Sequence, residues 1–301
     1  MVLTDKLKQH ILDAISADYG RKKSKDQQHT KVRHANSLGI NPSIYSRMAN
    51  GETNKVLSDG EWLRIGLELQ VDMNGLNWQT ADTATTSLIT TQLHYCKQHK
   101  ISAIFCDDKG IGKSYTAKQF RLQEANVCYV DCSLNHTKRG LIRAIAKGFG
   151  FDYQGKLGEV KASLVTNIFT LDNPLIILDE AGDLSYEAWL EVKSLWNHLE
   201  GMCGFYMMGA NGLKVKIDRH IQNYKVGYEE IFDRFGDRYQ QITKELTEAE
   251  KTAFKRHQAE MILRANLPKI SKQTEKELLN ACNLNLRRLQ IEIIKHKNIA
   301  A

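Results

Sequence analysis

The chain has 301 residues, of which 42% are hydrophobic and 26% are charged, and it contains only three prolines. These values are typical of a folded globular protein and exclude a long disordered or proline-rich chain. The longest aliphatic run, Leu175 to Leu178, is far too short to cross a bilayer, and the first residues lack a signal-peptide core. We therefore expect a cytoplasmic protein with no membrane partner. The net charge of +7 is compatible with a polyanionic partner.

The cysteines are scattered and form no CxxC pair, which argues against tetrahedral zinc. We interpret them as reduced, mostly buried side chains. The alternative concerns Cys128 and Cys132, which stand four residues apart around a predicted strand and could form a pair of metal ligands. The six cysteines are Cys96, Cys106, Cys128, Cys132, Cys203 and Cys282.

Hydrophobic patterning divides the chain into regions of different secondary structure. Short amphipathic helical patterns occupy the first region, and a stretch rich in Asn, Thr, Asp and Gly follows it. Short β-rich runs then alternate with helical patterns, as expected for βαβ units and a parallel sheet. The last region has helical periodicity only. We predict an N-terminal domain at 1–73, a linker at 74–87, an α/β domain at 88–243 and a helical domain at 244–301.

A glycine-rich loop follows the first β-rich run, Ile101 to Cys106, and a helical pattern follows the loop. Backbone N–H groups of such a loop wrap phosphates, and the helix N-terminus favours their charge. Lys113 would reach the β- and γ-phosphates of ATP, and Ser114 would ligate Mg²⁺. Asp107 stands where the usual pattern has glycine, and its carboxylate would lie near the phosphates. The predicted nucleotide contacts in this loop are Lys109, Gly110, Ile111, Gly112, Lys113, Ser114 and Tyr115.

A second aliphatic strand, beginning at Pro174, ends in two acids, Asp179 and Glu180. A buried parallel strand presents such residues at the carboxyl edge of the sheet, where ligands of open α/β folds bind. Asp179 would then hold Mg²⁺ together with Ser114 and contact the nucleotide through the ion. Glu180 would polarise the water that attacks the γ-phosphorus. The two motifs together indicate an ATPase that uses ATP and Mg²⁺.

These motifs resemble those of AAA+ ATPases. The resemblance implies an α/β fold: a P-loop AAA+ core with a parallel sheet and flanking helices, an N-terminal helix-turn-helix domain and a C-terminal helical lid. It also implies that Asn211, which follows the strand Phe205 to Gly209, orients the attacking water. Arg234 and Arg238 would reach into a neighbouring subunit's site and act in catalysis with Lys113 and Glu180. In the lid, Arg287 would contact the nucleotide, with Arg288 as the alternative.

The segment Thr30 to Gly51 has the spacing of a helix-turn-helix. Gly39 would make the turn, and Asn41-Pro42-Ser43 would begin the second helix with a cap and an N1 proline. That helix would present Ser43, Tyr45, Ser46 and Arg47 outward for DNA binding. The neighbouring basic run would contribute Lys22 and Lys23 as phosphate contacts. The alternative is a small helical domain that contacts protein.

The order of these motifs along nearly the whole chain resembles the phage Mu B family of transposition proteins. Local phrases such as Leu178-Asp-Glu-Ala181 and Ile231-Phe-Asp-Arg234 are similar as well. The resemblance implies a homo-oligomer that assembles with ATP as a helical filament on double-stranded DNA, with little sequence preference. It also implies delivery of that DNA to a DDE transposase, which it activates. Lys138 and Arg139 would contact phosphates from the filament's inner wall.

Two other readings remain open. A helicase-loader-like AAA+ ATPase would share the core but deliver a helicase to DNA. A nucleotide-switched DNA-binding regulator would hydrolyse ATP negligibly, a reading that Asp107 favours and that Glu180 and the two arginines oppose.

Overall fold

A five-stranded parallel sheet forms the centre of the molecule. The structure, a computed structural model, describes residues 3–73 and 75–300, with side chains to Lys297, so Asn74 at the start of the predicted linker lies outside the described residues. The strand order is β2-β3-β4-β1-β5, and every neighbouring pair is parallel. The strands are β1 Ser102–Cys106, β2 Val127–Asp131, β3 Leu175–Asp179, β4 Gly204–Gly209 and β5 Tyr239–Gln240.

Four helices form an N-terminal group with an apolar core of its own. The turn between α2 and α3 uses Gly39 at φ +68°, and the Asn41 side chain caps the Ser43 N–H at the start of α3. Pro42 is the first residue of that helix, where its missing N–H costs nothing. The predicted turn and cap are therefore present. The helices are α1 Asp5–Lys25, α2 Lys31–Leu38, α3 Pro42–Ala49 and α4 Asp59–Glu68.

Helices cover both faces of the sheet, because alternate residues of its central strands are buried on opposite sides. In β3, Leu175 and Ile177 pack in one apolar cluster, and Ile176 and Leu178 pack in another. The first cluster joins the sheet to α5 and α6, and the second joins it to the helices that follow β2. The flanking helices are α5 Ala84–His99, α6 Lys113–Gln123, α7 Lys138–Phe149, α8 Leu157–Ile168, α9 Tyr186–Leu199, α10 Asn211–Gln222 and α11 Tyr228–Arg234.

The last three helices pack around a small apolar cluster of their own, which includes Leu263, Leu279 and Ile293. Trp78, from the segment before α5, packs against this cluster. The sheet with helices on both faces confirms the predicted fold class, and the helical ends of the chain agree with it. The last helices are α12 Glu248–Asn266, α13 Lys272–Cys282 and α14 Leu286–Ala300.

Arg33 of α2 joins the N-terminal helices to the sheet domain. Its Nε donates to the Phe149 carbonyl at 2.8 Å, and its Nη2 donates to Asn126 Oδ1 at 2.7 Å. Asp26 neutralises the guanidinium through Nη1 at 2.7 Å. Because charge-assisted hydrogen bonds away from water are strong and directional, this one side chain holds α2 against the end of α7.

Two side chains predicted to contact DNA are buried instead. Tyr45 is 4% exposed, and its hydroxyl lies 2.7 Å from His34 Nδ1 in the N-terminal core. Its predicted outward orientation is wrong, because an aromatic ring on this short helix is needed to fill the core between α1 and α2. Lys22 is 8% exposed and pairs with Asp18 at 2.9 Å, so it is not a free phosphate contact.

Other predicted DNA contacts remain at the surface, although most have partners there. Lys23 donates to the Gln27 carbonyl, and the Ser43 hydroxyl donates to Asn41 Oδ1. Arg47 is half-exposed and pairs with Glu52 at 2.8 Å. Separately, in the part of the chain that the structure describes, no helix combines the length and apolarity that a membrane span needs.

The contact between Gly150 and Arg33 gives a test of how tightly the two units are joined. Gly150 has φ +79°, and a Cβ there would lie 2.1 Å from the Arg33 carbonyl oxygen. We expect Gly150→Ala to lower the free energy of unfolding by about 2 to 4 kcal/mol, from left-handed strain plus overpacking. Urea denaturation followed by circular dichroism measures this change.

Gly51→Ala is the matched control, because Gly51 has φ +90° but no atom within 4 Å of an added Cβ. It should cost only the backbone strain, about 1 kcal/mol. Equal losses for the two variants would show that the contact with Arg33 contributes nothing.

Candidate active site

The glycine-rich loop connects β1 to α6 at the carboxyl edge of the sheet. Gly110 and Gly112 have φ values of +79° and +102°, a region that favours glycine. A Cβ added at either glycine would meet no heavy atom within 4 Å, so a ligand can approach the backbone there. Gly112 is also the N-cap of α6 and makes no side-chain cap, which leaves the first N–H groups of that helix available to an anion.

A cavity opens over this loop and is lined by residues 109–115 of the loop and helix start. Glu180 and Arg287 line it as well, so the structure brings together the loop, one of the two strand-end acids and the lid arginine. Trp78, Ile262 and Leu286 add an apolar wall. The cavity therefore has one side suited to phosphates and another suited to a flat apolar group.

Lys113 lies at the centre of the loop's charges. Its ammonium donates to the carbonyl oxygens of Asp107 at 2.9 Å and Asp108 at 2.6 Å. Burial lowers the pKa of Lys113, while the nearby charges of Asp107, Glu180 and Asp179 oppose that change. A phosphate at the loop would provide this ammonium with a charged acceptor in place of two carbonyls.

Glu180 is held in an uncommon backbone conformation, with φ +50° and ψ +42°. Non-glycine residues in this left-handed region carry strain, and such residues cluster at functional sites. Burial raises the pKa of the Glu180 carboxyl, and the adjacent Asp179 charge raises it further. The side chain is thus a better proton acceptor than a solvated glutamate, as a general base requires.

Asp179 ends β3 and is almost fully buried, at 2% exposure. The Tyr129 hydroxyl of β2 donates to its Oδ2 at 2.6 Å, and the Glu180 N–H donates to its Oδ1 at 2.9 Å. Both carboxylate oxygens are therefore fixed in direction. Tyr129 was not identified from the sequence, although it stands on the strand that pairs with β3, opposite Ile177.

Ser114, which lines the cavity, and Asp179, at the end of β3, carry the oxygen atoms that Mg²⁺ prefers. A magnesium site needs few protein ligands, because phosphates and water complete its octahedron. Within residues 3–73 and 75–300, the structure has no group of three or more His, Cys, Asp or Glu side chains that could hold a metal on its own. The buried cysteines, Cys128 and Cys132 included, are free thiols.

Asp107 does not face the phosphates, contrary to the expectation from the sequence. Its buried carboxylate accepts from the backbone N–H groups of Ile242 at 2.6 Å and Thr243 at 3.1 Å, and from the Thr243 hydroxyl. The carboxylate turns away because those donors, just beyond β5, would otherwise be buried without acceptors. Asp107 therefore fastens the loop to the chain that leads into the lid.

Asp108 carries a second link between the loop and the lid. Its Oδ2 accepts from Lys255 of α12 at 2.7 Å, and its Oδ1 accepts from Asn211 Nδ2 at 3.1 Å. Asn211, predicted to orient water, is the first residue of α10 and has its amide directed at Asp108. The neighbouring Ala210 lines the cavity.

Arg234 and Arg238 do not line the cavity. The Arg234 guanidinium packs over the Trp196 ring, 5.0 Å from its centroid, and the Trp196 indole donates to Ser102 Oγ. Ser102 is the first residue of β1, whereas the glycine-rich loop follows the last residue of that strand. Arg234 therefore lies near the amino ends of the strands, away from the loop. Among the described residues, Arg234 Nη1 is buried and has no hydrogen-bond partner. Arg238 is exposed.

The segment before α5 forms a wall of the cavity that sequence reasoning missed. Asn266 at the end of α12 exchanges two 2.9 Å hydrogen bonds with the backbone of Gln79, in the manner of a strand pair. Thr80 is hydrogen-bonded to the Tyr115 hydroxyl at 2.6 Å. Trp78, an aromatic residue in an otherwise polar stretch, was the available sequence signal for this wall.

Lys138 and Arg139 begin α7, away from the loop. Lys138 is half-exposed and pairs with the buried Glu191 at 3.0 Å, and Arg139 is exposed. The structure thus leaves Arg139 the freer of the two.

The hydroxyl of Tyr129 gives a test of how Asp179 is oriented. We expect Tyr129→Phe to weaken Mg²⁺ binding in the presence of a non-hydrolysable ATP analogue by roughly tenfold or more, because partners of metal ligands fix their geometry. Mn²⁺ titration followed by electron paramagnetic resonance measures the metal site directly. Nucleotide binding without metal should not change.

Tyr206→Phe is the matched control, since this buried tyrosine of the same sheet donates to Gln92 instead. If both variants bound metal equally well, Tyr129 would have no positioning role.

The Asp107 contacts predict that restoring the usual glycine is harmful. Asp107→Gly would leave the N–H groups of Ile242 and Thr243 without an acceptor, at a cost of about 2 to 4 kcal/mol. Urea denaturation measures the loss of stability. Calorimetry measures the affinity for ATP, which should also fall. Stronger ATP binding by a fully stable variant would contradict this interpretation.

Comparison with known proteins agrees with this geometry. Residues 96–215 match the family model described as an AAA domain, a segment of 120 of the 301 residues that contains β1 to β4. A search of curated proteins gave no match. The matched segment holds the glycine-rich loop and both strand-end acids, and the loop and Glu180 line the cavity. The chain therefore carries an AAA-type P-loop ATPase domain.

Proposed function

We propose that this protein is an ATP-dependent DNA-binding ATPase that assembles on double-stranded DNA and delivers it to a DDE transposase, which it activates. The observation that carries the ATPase part is the cavity in which the phosphate loop, Glu180 and Arg287 meet. ATP would place its phosphates on the loop N–H groups and its base against the apolar wall. Mg²⁺, held by Ser114 and Asp179, would neutralise charge on the phosphates.

Hydrolysis follows from the positions of the chain's own groups. Glu180, with its raised pKa, accepts a proton from the attacking water. Lys113 exchanges its carbonyl partners for the phosphate oxygens, and Arg287 contacts the nucleotide from the lid. Asn211 orients the attacking water in this proposal. Its amide nitrogen donates to Asp108 in the structure, and this bond fixes the direction of the side chain.

Assembly is supported by the arginines that lie outside their own cavity. Arg238 is exposed and accessible to a second copy, whereas Arg234 packs over Trp196 and would have to leave that ring to reach one. A guanidinium from a second copy would supply the charge that a γ-phosphate in transfer attracts. ATP between subunits would then join nucleotide binding to polymerisation, as in a helical filament.

The DNA and transposase parts of the proposal rest on the motif order and on exposed basic residues. Arg139 of α7 is an exposed cation suited to a phosphate contact, and Arg47 of α3 could exchange its partner Glu52 for a phosphate. The regulator interpretation loses the support that Asp107 gave it, because the Asp107 carboxylate is bound by Ile242 and Thr243.

Two active-site variants separate nucleotide binding from hydrolysis. We expect Lys113→Ala to abolish ATP-dependent DNA binding. Glu180→Gln should keep DNA binding and lower hydrolysis at least about 100-fold, since a general base contributes that much or more. The exposed Glu187→Gln is the control. Electron microscopy with duplex DNA, in ATP, in ADP and without nucleotide, together with phosphate release, provides the readout.

DNA affinity that ignores both ATP and Lys113→Ala would overturn the coupling. Capture of a replicative helicase instead of a transposase, with no stimulation of strand transfer, would favour the helicase-loader reading.

A further inference from the structure

A groove separates the N-terminal helices from the sheet domain on the side of α7. Its floor is β2, with Tyr129, and one wall is the end of α4, with Glu68. The other wall carries basic residues of α6 and α7. We call this feature the interdomain groove, and its defining residues are Glu68, Lys118, Arg121, Tyr129, Arg143 and Lys147.

The basic side chains of the groove form an ordered row. Arg139, Arg143 and Lys147 are spaced four residues apart on α7, so they share one face of the helix and rise about 6 Å per step. Arg143 and Lys147 line the groove, and the exposed Arg139 continues the row towards its mouth. A linear polyanion has its charges in such a row, whereas a single small anion needs only one cluster.

Two donors in this row have no partner in the part of the chain that the structure describes. Arg143 Nε is buried without a hydrogen bond, although its Nη2 donates to the Gly155 carbonyl at 2.8 Å. The Lys147 ammonium, packed beneath the turn at Gly39, makes no hydrogen bond or ion pair. The buried Arg143 Nε calls for an external acceptor. Burial also lowers the pKa of Lys147, although the charge of Glu68 opposes that change.

The acidic residues of the groove have close partners of their own. Glu68 is shared between Arg64 at 3.1 Å and Arg121 at 3.5 Å. Asp131 accepts from the N–H and hydroxyl of Ser133. Two tyrosines, Tyr129 and Tyr153, lie among the cations, and cationic grooves with aromatic side chains are typical of proteins that follow a nucleic-acid strand.

We infer that the interdomain groove binds the sugar–phosphate backbone of one nucleic-acid strand through Arg143 and Lys147. This inference rests on the proposed DNA-binding function and assigns it a location on the α7 face beside the N-terminal helices. The strand belongs either to a duplex or to single-stranded DNA, and both present the same phosphates.

The test compares a groove variant with a matched surface variant. The first is Arg143→Gln with Lys147→Gln. The second is Arg256→Gln with Lys276→Gln, which removes the same two charges from exposed positions on α12 and α13. Fluorescence anisotropy measures binding of a labelled duplex and of a single strand of equal length, with ATP, over a series of salt concentrations. Thermal unfolding checks that both variants fold.

The groove variant should lose affinity for the duplex, for the single strand or for both. Its slope of log affinity against log salt concentration should fall by about 2, or about 1 per cation removed. The oligonucleotide whose affinity falls more shows whether the bound strand belongs to a duplex or to single-stranded DNA. The surface variant should match the wild type. As a second measurement, a photo-crosslinking residue at Leu134, which is 79% exposed and lines the groove, should crosslink to the bound strand.

The outcomes separate the two proposals. Wild-type protein that binds neither oligonucleotide would overturn the proposed DNA-binding function. Wild-type protein that binds, with an unchanged groove variant and no crosslink at Leu134, would overturn the groove alone. Displacement of the strand by an acidic peptide of equal charge at equal concentration would also overturn it, since the site would then not be built for phosphates.

Discussion

The buried carboxylate of Asp107 is the contact on which the architecture of the site depends. It receives backbone donors from the chain just beyond β5 while its own carbonyl accepts from Lys113. One residue thus connects the end of β1, the glycine-rich loop and the chain that leads into α12. A charge at 0% exposure is tolerated here because three donors from residues 242 and 243 and the nearby ammonium compensate its desolvation.

Other side chains also connect two regions of the molecule. Asp108 reaches the lid through Lys255, and Tyr129 joins the floor of the interdomain groove to Asp179. Arg33 joins the N-terminal helices to the end of α7, whose basic row faces that groove. A ligand bound at any one of these regions therefore contacts side chains that also contact a neighbouring region.

Much of the sheet could be predicted from the sequence because local rules govern it. The first four residues of β3, Leu175 to Leu178, are all aliphatic, as burial on both faces demands. The loop was recognisable because phosphate binding needs glycine at Gly110 and Gly112. The match of residues 96–215 to an AAA domain bears out this part of the reading.

The remaining features depend on contacts between distant parts of the chain. The direction of the Asp107 carboxylate is decided by Thr243, more than a hundred residues away, and pattern analysis places no such partner. Tyr45 on its short helix could have faced either way, and only the packing of α1 and α2 decides. The basic run at Lys22 suggested a surface for DNA, but Asp18, one helical turn earlier, neutralises it.

The pairing of Asn266 with Gln79 has a mechanical consequence. An asparagine side chain here imitates the backbone of a neighbouring strand, so the end of α12 is fastened to the segment that leads back to the N-terminal helices. Any rotation of the last three helices must either break both bonds or pull that segment along. If both bonds hold, the segment around Gln79 follows the tilt of the last three helices and passes that movement on towards the N-terminal helices.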